Sequence, residues 1–248
     1  MRTCMLSEEE KERYQRQILI IGDKKQESLK NKKILQVGAG GLGGPLILAL
    51  VAAGVGEIIL FENDVVSLSN LGRQILYKTQ DLGLSKGVLA QKRLQELNPH
   101  VKITVIEEWL SAKSAPKYLD PGDVDYLVDA SDNFETKFLV NDLGLKYNIP
   151  FTIAGIQGFE GQLISVDPHR TACYRCLFGD VPKKKDTSPI PVMSSTCGVV
   201  GSLQANEILK GLLNHGTRIL NALLMIGLET GDFTKIPINP NPNCICQK

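Results

Sequence analysis

Apolar positions along this chain fall into short unbroken runs set between longer stretches with helical spacing. That alternation is expected of a largely parallel sheet with crossover helices. Residues 32–37, KKILQV, form a short run readable as a buried strand. Leu42 to Ala53 is apolar almost all round and stops at Gly54, as a buried helix with a glycine C-cap does. Glu57 to Phe61 is a second buried strand and ends at Glu62. Lys102 to Ile106, Val124 to Val128 and Pro150 to Ala154 supply three more. Between them, Ser85 to Leu97 carries apolar residues at Val88, Leu89, Leu94 and Leu97 and is ended by Asn98-Pro99, and Glu135 to Lys146 reads as another helix. At the start, Ser7 to Ile21 reads as one helix opened by a capping box of Ser7 and Glu10. Past residue 154 the pattern changes. Gly161 to Asp167 follows the fifth strand with no room for a helix, so it returns antiparallel. A helix over Gly198 to Leu213, capped by Ser195 or Thr196, precedes a hairpin of Ile219 to Leu228 and Phe233 to Ile238. The sheet should begin parallel and finish mixed.

Length and charge narrow the picture little. At 248 residues one domain is expected, spanning 1–248, with an N-terminal helix over 7–21 and halves at 32–150 and 151–248. The 28 Lys and Arg nearly cancel 27 Asp and Glu, so neither nucleic acid nor a membrane is indicated as the main partner. No apolar run has the ~20 residues of a membrane span. The acidic start, MRTCMLSEEEKER, lacks the apolar core of a signal peptide, and the expected location is the cytoplasm.

The candidate chemistry begins at Gly38-Ala39-Gly40-Gly41-Leu42-Gly43, which joins the first strand to the first buried helix. Strand, glycine turn, helix, strand and acid together make the nucleotide-binding half of a Rossmann-like, doubly wound α/β sheet. Gly38, Gly40, Gly41 and Gly43 let backbone N–H groups approach phosphate oxygens, and the helix entered at Leu42 adds partial positive charge. Glu62 is placed to accept hydrogen bonds from ribose hydroxyls. NAD, FAD and ATP all fit such a loop. It has no Gly-Lys-Ser/Thr, so a triphosphate here needs cations from elsewhere. Ser69-Asn70-Leu71-Gly72-Arg73-Gln74 follows the Asn63-Asp64 turn, and Lys86 sits in a first helical turn, where it opposes the helix dipole unless an anion is near. Asp129-Ala130-Ser131-Asp132-Asn133 ends the fourth strand; Asp132 suits either a helix cap or a metal ligand.

GAGGLG, SLSNLGRQ, the lysine of GLSKG, DASDN, CYRC and GSLQANEILK, taken in that order, resemble the ubiquitin-activating enzyme superfamily, nearest its small bacterial branch of MoeB, ThiF and HesA adenylyltransferases. The similarity runs from RYQRQ (13–17) to the C-terminal cysteines. It implies ATP and Mg²⁺ as cofactors and adenylation of the C-terminal glycine of a ubiquitin-like sulfur carrier, for molybdopterin or thiamine synthesis, with a sulfur donor acting afterwards. The family's positions map onto Arg73 and Lys86 on the phosphates, Asp132 on Mg²⁺, and Asp64, Ser69, Asn70, Gln74 and Asn133 around the nucleotide. By spacing alone Arg13, Tyr14 and Arg16 read as a solvated helix face. The resemblance instead assigns Arg16 to the nucleotide site of a partner subunit, and so implies a homodimer. The segment 151–248 becomes the carrier-binding and zinc half.

Six cysteines lie at 4, 173, 176, 197, 244 and 246. Cys173 and Cys176 form CxxC, Cys244 and Cys246 form CxC, and four thiolates suit tetrahedral Zn²⁺. The resemblance implies such a zinc site, although the family's second pair is also CxxC. Side chains two apart on an extended strand lie some 6–7 Å apart, so both sulfurs can reach one ion only if the chain turns at Ile245. Cys197 stands near a helix N-terminus, where a thiolate is stabilised, yet a small buried hydrophobe is the common alternative. The segment Phe178 to Val192, rich in lysine and proline, reads as an exposed loop and holds no cysteine. No catalytic cysteine is assigned. A competing reading is an NAD-dependent oxidoreductase, though His100, His169 and His215 lie in no evident catalytic setting. Others keep the family but adenylate a peptide or a tRNA base, or leave a nucleotide-binding scaffold without activity.

Overall fold

The computed structural model describes residues 5–119, 122–181 and 190–247. Its centre is an eight-stranded sheet in the order β3-β2-β1-β4-β5-β6-β7-β8. The strands are β1 (Lys33–Val37), β2 (Glu57–Phe61), β3 (Lys102–Ile106), β4 (Tyr126–Asp129), β5 (Phe151–Gln157), β6 (Glu160–Val166), β7 (Ala222–Gly227) and β8 (Asp232–Pro237). The first five run parallel, and β6, β7 and β8 each run antiparallel to the strand before. The parallel start and mixed finish stand as expected. Strand order reverses between β1, which continues outward to β2, and β4. Ligands of doubly wound sheets bind at such a switch point, beyond the carboxyl ends of the strands.

Helices cover both faces. On one, α4 (Gly43–Ala53), α5 (Lys86–Leu97) and α8 (Ser194–Leu213) close a core with Leu46, Ile47, Leu50, Val128, Leu163 and Ile208. On the other, α6 (Phe134–Tyr147) and the short α7 (Tyr174–Phe178) pack Phe138, Tyr174 and Phe151 against the sheet. Three glycines set how closely these layers meet. A Cβ on Gly201 of α8 would lie 2.7 Å from Leu42 O, and one on Gly161 of β6 2.4 Å from Val200. Gly54 ends α4 at φ 87°, as a left-handed C-cap must, and a Cβ there would strike the Tyr14 ring at 2.6 Å. No helix among the described residues is long and apolar enough to cross a membrane.

Several boundaries differ from expectation. The helix expected over 7–21 is two, α1 (Glu8–Arg13) and α2 (Gln15–Ile21), because Tyr14 leaves helical geometry to bury its ring on Gly54. Its hydroxyl accepts from Asn98 Nδ2 at 2.8 Å. Ser7 and Glu10 do form their capping box. A third helix, α3 (Asp23–Lys30), was not expected; it is polar along most of its length and buries only Gln26 and Leu29. Asn133, not Asp132, caps α6, accepting from Thr136 N at 2.8 Å. Neither Ser195 nor Thr196 caps α8, which begins at Ser194; the Thr196 hydroxyl donates to Gly158 O instead. Part of the loop expected over Phe178 to Val192, namely 182–189, lies outside the described residues, as does Cys4.

Candidate active site

The glycine loop is held by groups beneath it. Gln36, a buried amide within the otherwise apolar β1, donates from Nε2 to Gly38 O at 2.9 Å and Gly43 O at 3.1 Å. Tyr77 donates to Ala39 O at 2.9 Å. Gly38 takes φ 92°, and a Cβ there would sit 3.0 Å from Ala130 O, on the neighbouring loop after β4. Glu62 is buried at the end of β2. Its Oε2 accepts from Ala39 N at 2.8 Å and its Oε1 from Asp64 N at 3.0 Å. Each carboxylate oxygen keeps a second lone pair, so the same group that ties the loop to β2 still offers acceptors to a sugar hydroxyl.

Basic groups surround this loop. Lys86 opens α5 and is buried; its Nζ lies 3.1 Å from Asp64 Oδ2, whose side chain is half exposed. Asn70 ends a short 3₁₀ turn, Leu68–Asn70, and accepts from Ser67 N through Oδ1. Ser69 pairs its hydroxyl with that of Ser67 and accepts from Arg73 through its carbonyl at 3.0 Å. Arg73 then runs alongside Gly41: a Cβ on Gly41 would meet Arg73 Cγ at 3.4 Å and Cys197 Sγ at 2.9 Å. Gln74 is buried, with its amide nitrogen over Gly40 and its Oε1 without a partner. Such an orphaned acceptor beside a phosphate-type loop suits a ligand donor.

From the other side of the switch point comes the loop after β4. Asp132 is exposed and makes no hydrogen bond or ion pair among the described residues. A free carboxylate three residues past a buried strand end suits a hard cation. Beneath it Asp129 is buried against Lys137, a pair not anticipated from the pattern of residues. Gln204 of α8 donates to Asp129 O at 2.8 Å, joining α8 to the same strand end. Cys197 is fully buried in the first turn of α8; burial pushes its thiol pKa up, against the pull of the nearby Arg73 guanidinium.

Arg16 is not brought to this site within one chain. It is exposed on α2, and α2 is anchored to the far end of α4, where Gln17 Nε2 donates to Ala53 O. The eleven residues of α4 put that end roughly 16 Å from the loop. The histidines are also elsewhere: His100 beside Glu9, His169 on Leu145 O, and His215 beside Lys25.

The profile of the ThiF family matches residues 14–247. The chain belongs to that family. As a ThiF-family member it is 41% identical over 252 residues to a sulfur carrier protein adenylyltransferase of Thermus thermophilus, covering 96% of this chain and 91% of the relative. It is 36% identical over 247 residues to a SAMP-activating enzyme E1 of Haloferax volcanii, covering 98% and 90%. A sulfur carrier protein ThiS adenylyltransferase of Escherichia coli is 37% identical over 202 residues, 80% of each chain. Among solved structures, that of E. coli MccB with MccA-N7isoASN superposes with TM-score 0.86 at 23% identity, over 96% of this chain and 75% of that one, which shows a shared fold.

Away from the nucleotide edge, the ThiF-family chain gathers four cysteines. Cys173 Sγ lies 3.5 Å from Cys244 Sγ, and Cys176 Sγ lies 3.4 Å from Cys246 Sγ. All four sulfurs fall within 4.8 Å of one another. Sulfurs around a tetrahedral zinc at 2.3 Å stand ~3.8 Å apart, so the cluster has the dimensions and donor chemistry of a Cys₄ site. The turn that the CxC pair requires is present, as a 3₁₀ turn over Ile245–Gln247. Arg175, inside CYRC, holds the first pair in place by two bonds to Asp142 at 2.7 and 2.8 Å.

Proposed function

We propose that this protein adenylates the C-terminal glycine carboxylate of a ubiquitin-like sulfur carrier, using ATP, and that the acyl-adenylate then passes to a sulfur donor. The observation that carries this reading is the composition of the switch point: a glycine loop, a ribose-type acid, two cations and a free carboxylate, with no histidine and no exposed thiol there among the described residues. Such a set positions reactants and neutralises charge, which is what attack of a carboxylate on an α-phosphate needs. The carrier's terminal carboxylate supplies the nucleophile, the P–O bond to the β-phosphate breaks, and pyrophosphate leaves. The names of the Thermus and E. coli relatives support the same reaction and substrate class. Molybdopterin synthesis, as in the name of a Porphyra purpurea relative, and thiamine synthesis are both compatible routes.

In this reading the amides of Gly38, Gly40, Gly41, Leu42 and Gly43 and the side chains of Asn70 and Gln74 hold the nucleotide, and Glu62 holds its ribose. Arg73 and Lys86 face the phosphates. Asp64 and Ser69 keep Lys86 and Arg73 in register, and Asn133 fixes the start of α6. Mg²⁺, when bound, shields phosphate charge, and Asp132 is the residue that would hold it. Cys173, Cys176, Cys244 and Cys246 would hold Zn²⁺, fastening the C-terminal segment.

The site is completed in this reading by a second copy. Arg16 has no route to its own loop, while α2 exposes Leu19 and Ile20 at 76% and 72% beside it. Nearby, Pro45, Leu48, Ile75, Val199 and Leu203 line an open, mainly apolar depression. A homodimer that buries these residues would carry Arg16 across. Mixed dimers of Arg16→Ala and Asp132→Ala chains should therefore regain activity that neither homodimer has. Hybrids that form and stay inactive would exclude a shared site.

A further inference from the structure

Beneath the free carboxylate of Asp132 lies a buried ion pair that the reading above leaves without a task. Asp129 ends β4 with its side chain fully enclosed, and Lys137, one turn into α6, is 7% exposed. The Lys137 ammonium donates to Asp129 Oδ2 at 2.7 Å, Ser131 O at 2.8 Å and Ala154 O at 2.6 Å. An ammonium has three donors, and all three are engaged. Two of the acceptors are backbone carbonyls. One belongs to Ser131, the residue immediately before Asp132; the other belongs to β5, the neighbouring strand. Asp129 completes the clamp by accepting from Ser131 Oγ at 2.5 Å and Ser131 N at 3.3 Å. Asp132 has no partner of its own among the described residues. Its position therefore depends on the backbone that Lys137 ties down.

Stability alone does not explain such a pair. Replacing a buried ion pair by apolar groups of similar size is often neutral or stabilising, because both charges lose their hydration. A buried lysine aimed at two carbonyls beside a binding loop instead buys geometry. We infer that Lys137 is a positioning residue: by holding the carbonyl of Ser131 against the end of β5, it sets where the Asp132 carboxylate stands relative to the nucleotide phosphates. This rests on the adenylation reading.

The test compares full-length Lys137→Met, Asp129→Asn and the double variant with the wild type. Lys137→Met strands a buried carboxylate and lowers the melting temperature whatever its role. The double variant removes both charges and should recover most of that loss. Positioning predicts that the double variant still runs carrier-dependent pyrophosphate exchange about tenfold or more below wild type, since small misplacements of reacting groups cost rate steeply. It also predicts a higher Mg²⁺ requirement and, in nucleotide-free protein, faster deuterium uptake at the amides of 130–133. Exchange back within about twofold of wild type, with unchanged deuterium uptake, would overturn the inference. Should the double variant not fold, Asp129→Asn alone decides. It leaves Lys137 its two carbonyls, so exchange should stay within a few-fold of wild type below its melting point; a loss equal to that of Lys137→Met overturns the inference. Wild-type protein that exchanges with no carrier removes the adenylation reading instead, and deuterium uptake at 130–133 then still decides whether Lys137 holds the loop.

Discussion

Gly43→Ala should injure stability and nucleotide binding together. A Cβ at Gly43 would lie 2.1 Å from Gly38 O, 2.8 Å from Gly38 C and 3.2 Å from Gln36 Nε2. The first two are backbone atoms and cannot swing aside, so the overlap forces the first turn of α4 away from the loop by roughly 1 Å, given normal contact near 3.5 Å. Overpacking of this kind costs ~1–3 kcal/mol, and rigid neighbours put it at the upper end. The displacement also strains both hydrogen bonds from Gln36, worth ~0.5–1.5 kcal/mol each. A total near 3–4 kcal/mol lowers the melting temperature of a chain this size by about 6–16 °C. ATP binding should weaken more than tenfold, because a moved loop loses one or more charge-assisted bonds of about 1.5–3 kcal/mol. Scanning calorimetry and titration with a non-hydrolysable ATP analogue measure the two effects. Gly72→Ala is the control for stability, since a Cβ there meets nothing within 4 Å. A Gly43→Ala protein that melts within about 2 °C of wild type and binds the analogue unchanged would refute the close-packed loop.

Protein purified without chelator should carry one zinc per chain, by atomic absorption, and Cys246→Ser should lose it and lower the melting temperature, because the buried cluster fastens the C-terminal segment, while ATP affinity stays within about threefold, because no cysteine of the cluster contacts the glycine loop. Cys197→Ser should keep pyrophosphate exchange close to wild type, because the attacking group is the carrier's own carboxylate; loss of exchange with an intact fold would restore a thiol to the mechanism.

Much of the sheet was legible because buried parallel strands are continuous apolar runs, and β1, β2 and β3 match their runs closely. The return of β6 was legible for a different reason: the six residues between the expected strands, 155–160, leave no room for a crossover helix, and in the structure only Gly158 and Phe159 separate them. The N-terminal helix was misread because the break at Tyr14 has a tertiary cause, the flat face of Gly54, forty residues away and invisible to local spacing. The polar α3 was missed because it packs one narrow edge and carries no apolar stripe. At the site, loop residues were found by their motif, while their supports were not. Gln36 did leave a signal, as a lone amide inside an apolar strand. Lys137 left none, since a lysine in a helix reads as solvated until β5 and the Asp129 side chain are brought around it. The cap at α6 went to Asn133 rather than Asp132 by a shift of one residue, which frees the Asp132 carboxylate for a ligand. The CxC pair shows the reverse: its spacing alone demanded a turn, and the chain turns at Ile245.

Labelled pyrophosphate exchange into ATP tests the central claim most directly, with Mg²⁺ and a purified ubiquitin-like carrier ending in Gly-Gly. The account predicts exchange that requires the carrier's terminal glycine, is abolished by Asp132→Ala, and falls by about 10²–10³ in Arg73→Ala or Lys86→Ala, the usual cost of removing a donor aimed at developing charge. Exchange that persists without the carrier's terminal carboxylate, or that survives Asp132→Ala, would contradict it.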